Sequence, residues 1–237
     1  MHSLIVDEID AALESRPDGP VMVGLTGGVA VGKTTFAERL ADELATRAIP
    51  TEIVSLDGWL RSNAELDHAG LSHRKGFPES WDWQALIDAI STLRSGATLT
   101  PPVYDHATYD VSTKAGPMAG GSRVVLMEGL CALFESGDDR VEDRWDLSVS
   151  LDAGEVAERA WFTERLLGIL VDPPEGSFYA QLGPMTPTAG TAFADEVWEA
   201  INAPVRALHV SPAVRRADLR VAKGSDHQLL GIERTGR

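Results

Sequence analysis

Apolar positions along this chain follow two periods. Val21-Met22-Val23 opens a run continuous enough for a strand buried on both faces, and similar runs recur at 52–56, 123–127, 146–151 and 218–222. Between them, apolar residues return every three or four positions. Leu4, Ile5, Ile9, Ala12 and Leu13 predict a leading helix over 3–15, ended by Pro17-Asp18-Gly19-Pro20. Phe36, Leu40 and Leu44 predict a helix over 33–47, and the same period predicts helices over 82–94, 154–167 and 191–202. Strands interleaved with helices imply an α/β fold of three layers, with a mostly parallel central sheet and helices on both sides. No composition shift or repeat divides the chain, so residues 1–237 are expected to form one domain. Three segments resist either period: 60–80, 100–121 and 171–190, rich in Gly, Pro, His or Tyr. Loops of that length in a compact domain are usually functional or mobile, and 171–190 is a candidate lid.

The first strand is followed by Gly27-Gly28-Val29-Ala30-Val31-Gly32-Lys33-Thr34, which fits G-x-x-x-x-G-K-[ST] between a strand and a helix. That context makes the pattern a P-loop. Backbone N–H groups of residues 27–35, through Thr35, would curl around phosphate oxygens at a helix N-terminus. Lys33 would reach the β- and γ-phosphates, and the Thr34 hydroxyl would ligate Mg²⁺. A nucleoside triphosphate, ATP, is the expected ligand. Two acids follow apolar strands: Asp57 after Ile53 to Leu56, and Glu128 after Val124 to Met127. At such positions a carboxylate can hold Mg²⁺ or take a proton from an attacking hydroxyl, though Asp also caps turns. Arg165 lies on a helix running toward 171–190, where it could neutralise a phosphoryl group in transit or simply pair with Glu158 or Glu164.

Composition narrows the classes. A formal charge of −15 disfavours nucleic acid and anionic membranes as partners. No apolar run approaches the roughly 20 residues of a membrane span, and Met1 to Arg16 lacks a signal-peptide layout. A cytoplasmic location follows as the expectation. The single Cys131 excludes an internal disulfide and any cysteine-based zinc site, and reads as a core residue.

Several short motifs occur together: the P-loop, Ser55-Leu56-Asp57-Gly58-Trp59-Leu60, Arg74-Lys75-Gly76-Phe77-Pro78-Glu79-Ser80-Trp81-Asp82, and Pro102-Val103-Tyr104-Asp105-His106-Ala107-Thr108-Tyr109-Asp110-Val111. Glu128-Gly129-Leu130, Trp161 to Arg165, Trp198 to Asn202 and Lys223 to His227 follow. In this order and spacing, from residue 20 onward, the chain resembles bacterial type I pantothenate kinases, within the phosphoribulokinase/uridine kinase group. The resemblance implies that Asp57 is the base for the substrate's primary hydroxyl and that Lys33 and Arg165 neutralise the phosphoryl group. It implies that Thr34 and Glu128 hold Mg²⁺ and that His227 packs against adenine. Tyr104, His106 and Asn202 match positions that hold pantothenate; Tyr109 and Phe162 belong to the same substrate set. A homodimer is implied by the same analogy. By itself His106 would be an ordinary hydrogen-bonded histidine, and His227 a polar C-terminal residue.

Departures bear on the acceptor and on regulation. Phe162 stands where the family has a tyrosine, and 171–190 keeps Phe178 and Tyr179 but is otherwise reworked. The family's members usually carry a longer extension before the first strand, where about twenty residues stand here. Glu38 occupies the place of a basic residue that grips inhibitory coenzyme A, so feedback inhibition is expected to be weak. Kinases of another small hydroxyl acceptor, such as a nucleoside, sugar or glycerate-like acid, are the alternative. A non-catalytic ATP-binding regulator fits less well, since Lys33, Thr34, Asp57, Glu128 and Arg165 are all present. A GTPase-like switch would need the Asn-Lys-x-Asp signature, which the chain lacks.

Overall fold

The structure, a computed structural model, describes residues 3–112, 114, 116–135 and 141–235. Its centre is β1 (Val21–Gly27), all seven residues of which are buried. β1 is flanked in parallel by β5 (Val124–Glu128) and β6 (Leu147–Asp152), in registers Val21 to Val124 and Val23 to Leu147. β2 (Thr51–Ser55) extends the sheet beyond β5, and β7 (Leu219–Lys223) and β8 (Leu229–Arg234) extend it beyond β6. The order is β2-β5-β1-β6-β7-β8, parallel except for β8. Alternate residues of each strand leave opposite faces, so the sheet carries two cores. Val21, Val23, Leu25, Val124 and Leu126 meet α1 (Ser3–Ser15), α2 (Lys33–Thr46) and the start of α5 (Glu155–Val171). Met22, Val125 and Met127 meet α4 (Trp83–Arg94) and the aromatic cluster Trp59, Phe77, Trp81 and Phe134.

The predicted strands and helices are present within a residue or a few of their expected limits, and three features add to them. β8 was not expected; its exposed, mixed pattern as an edge strand hides the alternation that marks an inner strand. Segment 60–80 contains α3 (Asn63–His68), started by a capping box between Ser62 and Glu65. Within 100–121, β3 (Tyr104–Asp105) and β4 (Asp110–Val111) make a small hairpin.

The helix predicted over 191–202 is longer. It runs from α6 (Pro187–Val197) through a π-turn at Trp198–Asn202, α7 (Ala203–Val205) and a second π-turn at Arg206–Val210, to α8 (Ser211–Arg216). Pro204 and Pro212, in a regular α-helix, would each remove a ladder hydrogen bond and break or kink it. Each follows a π-turn, where the hydrogen-bond ladder already slips by a residue, so a missing N–H is accommodated without ending the helix. Among the described residues no helix is long and apolar enough to cross a membrane.

Candidate active site

In an open parallel sheet the strand C-termini share one edge, and chemistry gathers there. Here that edge collects Gly27 to Thr34, Asp57 and Glu128, although they are far apart in sequence. The loop after β1 holds Ala30 at φ 59°, a left-handed conformation costly for a residue with a Cβ. It then delivers the chain into α2 with its first N–H groups unpaired by the helix itself. Lys33 Nζ donates to the carbonyls of Gly27 at 3.3 Å and Gly28 at 3.1 Å. The Thr34 hydroxyl donates to Glu128 Oε1 at 3.0 Å. Glu128 is only 5% exposed, and burial pushes its carboxyl up from the usual range; Lys33 opposes that shift while Asp57 adds to it.

Asp57 sits in a 3-10 turn, Leu56–Trp59, whose start is capped by the Ser55 side chain accepting from the Asp57 N–H. The turn lies hard against the loop ahead of β3. A Cβ on Gly58 would come within 2.1 Å of the Pro102 carbonyl oxygen, so only glycine permits this approach. Burial raises the Tyr104 hydroxyl well above its ordinary range, with Tyr109 and Tyr179 adding to it and Asp57 contributing less.

Tyr104 belongs to an aromatic group drawn from two segments the sequence left irregular. Its ring is 5.1 Å from His106 and 6.2 Å from Tyr109. Tyr109, itself at φ 56°, stacks on Phe178 at 5.3 Å and meets Tyr179 at 6.2 Å. The Phe178 N–H donates to the Ala107 carbonyl at 2.8 Å, fastening 171–190 to the β3–β4 hairpin. Burial pushes the Tyr109 hydroxyl up to about 12.

Lys75 was not singled out from sequence, yet it joins these parts. Its side chain is buried, donating to Asn63 Oδ1 and the Tyr109 carbonyl, each at 2.6 Å, with its ammonium 4.3 Å from the Tyr109 ring centre. Desolvation lowers its pKa to about 8 against the pull of Asp110. A lysine between Arg74 and Gly76 in an irregular segment carries no periodic signal; only its place in the Arg74 to Asp82 motif pointed there.

The remaining expected residues fall in three places. Arg165 is exposed beside Tyr179, whose pKa it lowers against the larger effect of burial. Glu158, one of its expected partners, is taken instead by Arg206 at 2.9 Å. His227, at φ 65° in the turn between β7 and β8, stacks on Trp161 at 3.9 Å, and Trp161 Nε1 donates to the Ser225 carbonyl. Phe162 is buried between α5 and α6 with its ring 5.8 Å from Trp198, so its absent hydroxyl matches an apolar surrounding. Asn202, on the first π-turn, keeps a buried Nδ2 with no hydrogen-bond partner, and lines a small cavity with Gly28, Val29 and Trp198.

Comparison with known proteins supplies the context for this geometry. Residues 22–165 match the phosphoribulokinase / uridine kinase family. A pantothenate kinase of Shewanella piezotolerans is 33% identical over 225 residues, covering 90% of this chain and 71% of that one. A pantothenate kinase of Streptococcus pyogenes serotype M12 is 33% identical over 219 residues, covering 89% of this chain and again 71% of the relative. Among solved structures, D-glycerate 3-kinase from Cryptococcus neoformans shares the fold at a TM-score of 0.69, with 13% identity and 99% of each chain covered. The chain is therefore a pantothenate kinase-like member of the phosphoribulokinase/uridine kinase family.

Proposed function

We propose that this protein is an ATP-dependent kinase that phosphorylates the primary hydroxyl of pantothenate. The observation that carries it is that Lys33, the Thr34–Glu128 pair and the turn bearing Asp57 lie along one sheet edge. There Ser55 pairs with Glu128, and the Asp57 turn packs against the loop that leads into Tyr104. ATP phosphates lie against the loop N–H groups and the start of α2, where the helix dipole favours negative charge. Asp57 accepts the proton of the acceptor hydroxyl as its oxygen bonds to the γ-phosphorus, and the bond to the departing ADP oxygen breaks. Lys33, with Arg165 from α5, offsets charge on the phosphoryl oxygens in transit.

Thr34 Oγ1 and Glu128 already converge as hard oxygen donors, the kind Mg²⁺ prefers, and they would hold that ion. When bound, Mg²⁺ neutralises charge on the β- and γ-phosphate oxygens. Tyr104, His106 and Tyr109 line the acceptor side, while Asn202 Nδ2 offers an unused donor to a carboxylate. Phe162 contributes apolar packing beside Trp198, in the cluster against which Tyr179 also packs. His227 on Trp161 provides a flat platform for adenine.

The test is ADP release from MgATP with pantothenate, then with nucleosides, sugars and hydroxy acids, beside Asp57→Asn. Pantothenate-dependent turnover that falls on the order of 10²–10⁴-fold in the variant, with ATP still bound, is the expected result. Turnover with a different alcohol alone would replace the acceptor and keep the chemistry. Full turnover in Asp57→Asn would remove Asp57 as the base.

A further inference from the structure

Beneath the phosphate loop runs a chain of charges with no part in the steps above. Glu158, on α5, is 1% exposed, and Arg206, on the second π-turn, donates from Nε to its Oε2 at 2.9 Å. The same guanidinium donates from Nη2 to Asp152 Oδ1 at 3.2 Å and from Nη1 to Ser211 Oγ at 3.0 Å. Asp152, at the end of β6, receives Arg220 on its other oxygen at 2.6 Å. Arg220 in turn reaches Glu233 on β8 at 3.0 Å.

Such a pair is a poor choice for stability alone. Desolvating both charges offsets most of their attraction, and apolar residues of equal volume often serve as well or better. Burial accordingly lifts the Glu158 carboxyl above its usual range, with Arg206 the chief opposing influence. What the carboxylate gains is a fixed orientation, since the one N–H that holds it belongs to a guanidinium itself anchored on Asp152 and Ser211.

That orientation is toward Gly28. A Cβ placed on Gly28 would lie 1.9 Å from Glu158 Oε2 and 2.5 Å from its Cδ, so the loop backbone rests directly on the carboxylate. The carbonyl of Gly28 is also an acceptor for Lys33 Nζ. Guanidinium, carboxylate, glycine backbone and ammonium thus form one line of contact. Trp198, Asn202 and Arg206, four residues apart on the π-interrupted helix, border the same small cavity as Gly28, Val29 and Glu158.

We infer that Glu158 and Arg206 are positioning residues for phosphoryl transfer: their ion pair sets the backbone of Gly28, and through it Lys33, while tying the loop to the helix that bears Asn202. The inference rests on the nucleotide half of the proposed function and is independent of which alcohol is phosphorylated.

Glu158→Gln and the double variant Glu158→Leu with Arg206→Leu test it in the full chain. Melting temperature, the ATP dissociation constant by calorimetry without acceptor, and steady-state kcat and KM are read together. In Glu158→Gln, kcat per folded molecule falls on the order of 10²-fold, as expected when catalytic groups shift slightly out of place, and ATP binds several-fold more weakly. The double variant recovers the wild-type melting temperature but neither kcat nor ATP affinity. Wild-type kcat and ATP affinity in either variant would reduce the pair to packing and overturn the inference. If Glu158→Gln does not fold, the double variant decides. A wrong acceptor would appear differently, as silent turnover in the wild type with the ATP affinity difference intact.

Discussion

The proposed nucleotide half and acceptor half of this site are built on different principles. The nucleotide half is backbone: a strand, a strained loop and a helix start, contiguous from Val21 to Thr46, closed by one carboxylate from β5. The acceptor half is side chains: Tyr104 and Tyr109 from one segment, Phe178 and Tyr179 from another, and Lys75 with Asn63 from a third. A phosphate looks alike in every nucleotide, so a fixed cradle of N–H groups suits it. An acceptor is recognised by shape and by scattered polar contacts, and loops meeting over a rigid sheet can vary those without disturbing the cradle. Changes to the first half should therefore strike turnover, and changes to the second should strike acceptor affinity.

The largest separation is expected from Lys33→Met. Losing its charge from the phosphate cradle should lower kcat about 10²–10³-fold with the acceptor KM little changed, as steady-state kinetics would read. A comparable rise in acceptor KM would erase the distinction. Next comes Lys75, whose burial can be weighed by pH. Its native pKa, about 8, lies below the ordinary 10.5, so between those values the unfolded chain holds more of this proton than the native one. The cost of burying the charge is carried in full below pH 8 and shed as pH rises toward 10.5. Relative to Lys75→Met, the wild type should gain on the order of 3 kcal/mol of unfolding free energy over that interval. Denaturant titrations at several pH values would show it, and parallel profiles would remove Lys75 as a buried cation.

Phe178→Ala removes the stack that fastens 171–190 to the hairpin. An aromatic pair contributes about 0.5–1.5 kcal/mol beyond area, so acceptor KM should rise up to about tenfold while ATP KM holds. Smallest is the effect at Glu38, exposed on α2 one turn past the loop. Coenzyme A should inhibit weakly, and Glu38→Arg should strengthen that inhibition by roughly tenfold at most, since two unit charges change in partly solvated surroundings. Strong inhibition of the wild type, competitive with ATP, would refute the effect assigned to this acid.

The two halves were also unequally legible in the sequence. Gly27 to Thr34, Asp57 and Glu128 were readable because each is set by its own strand end, a local feature. Tyr104, His106 and Tyr109 were reached only through family resemblance, since nothing local says that residues 104 and 178 meet. Lys75 was marked only by its place in a family motif, and nothing in the sequence joined Glu158 to Arg206. An isolated charge in a helical pattern reads as a solvated face, and only the tertiary structure shows that Glu158 lies under Gly28. The two π-turns were hidden for a related reason: Pro204 and Pro212 signal an ending wherever the ladder is regular.

The register of β1 has a consequence in time. Val21 pairs with Val124, and Val23 with Leu147, so the strand that launches the phosphate loop waits for partners encoded far downstream. Joining such distant segments costs loop-closure entropy before it yields any burial, which makes the pairing slow. During synthesis β1 and α2 leave the ribosome early, yet the central strand has no neighbour until β5 emerges and no second one until β6 does. Nascent chains halted before residue 124 should not be retained by immobilised ATP, whereas chains long enough to free β6 should begin to be. The most local motif in the sequence is thus among the later parts of the molecule to become competent.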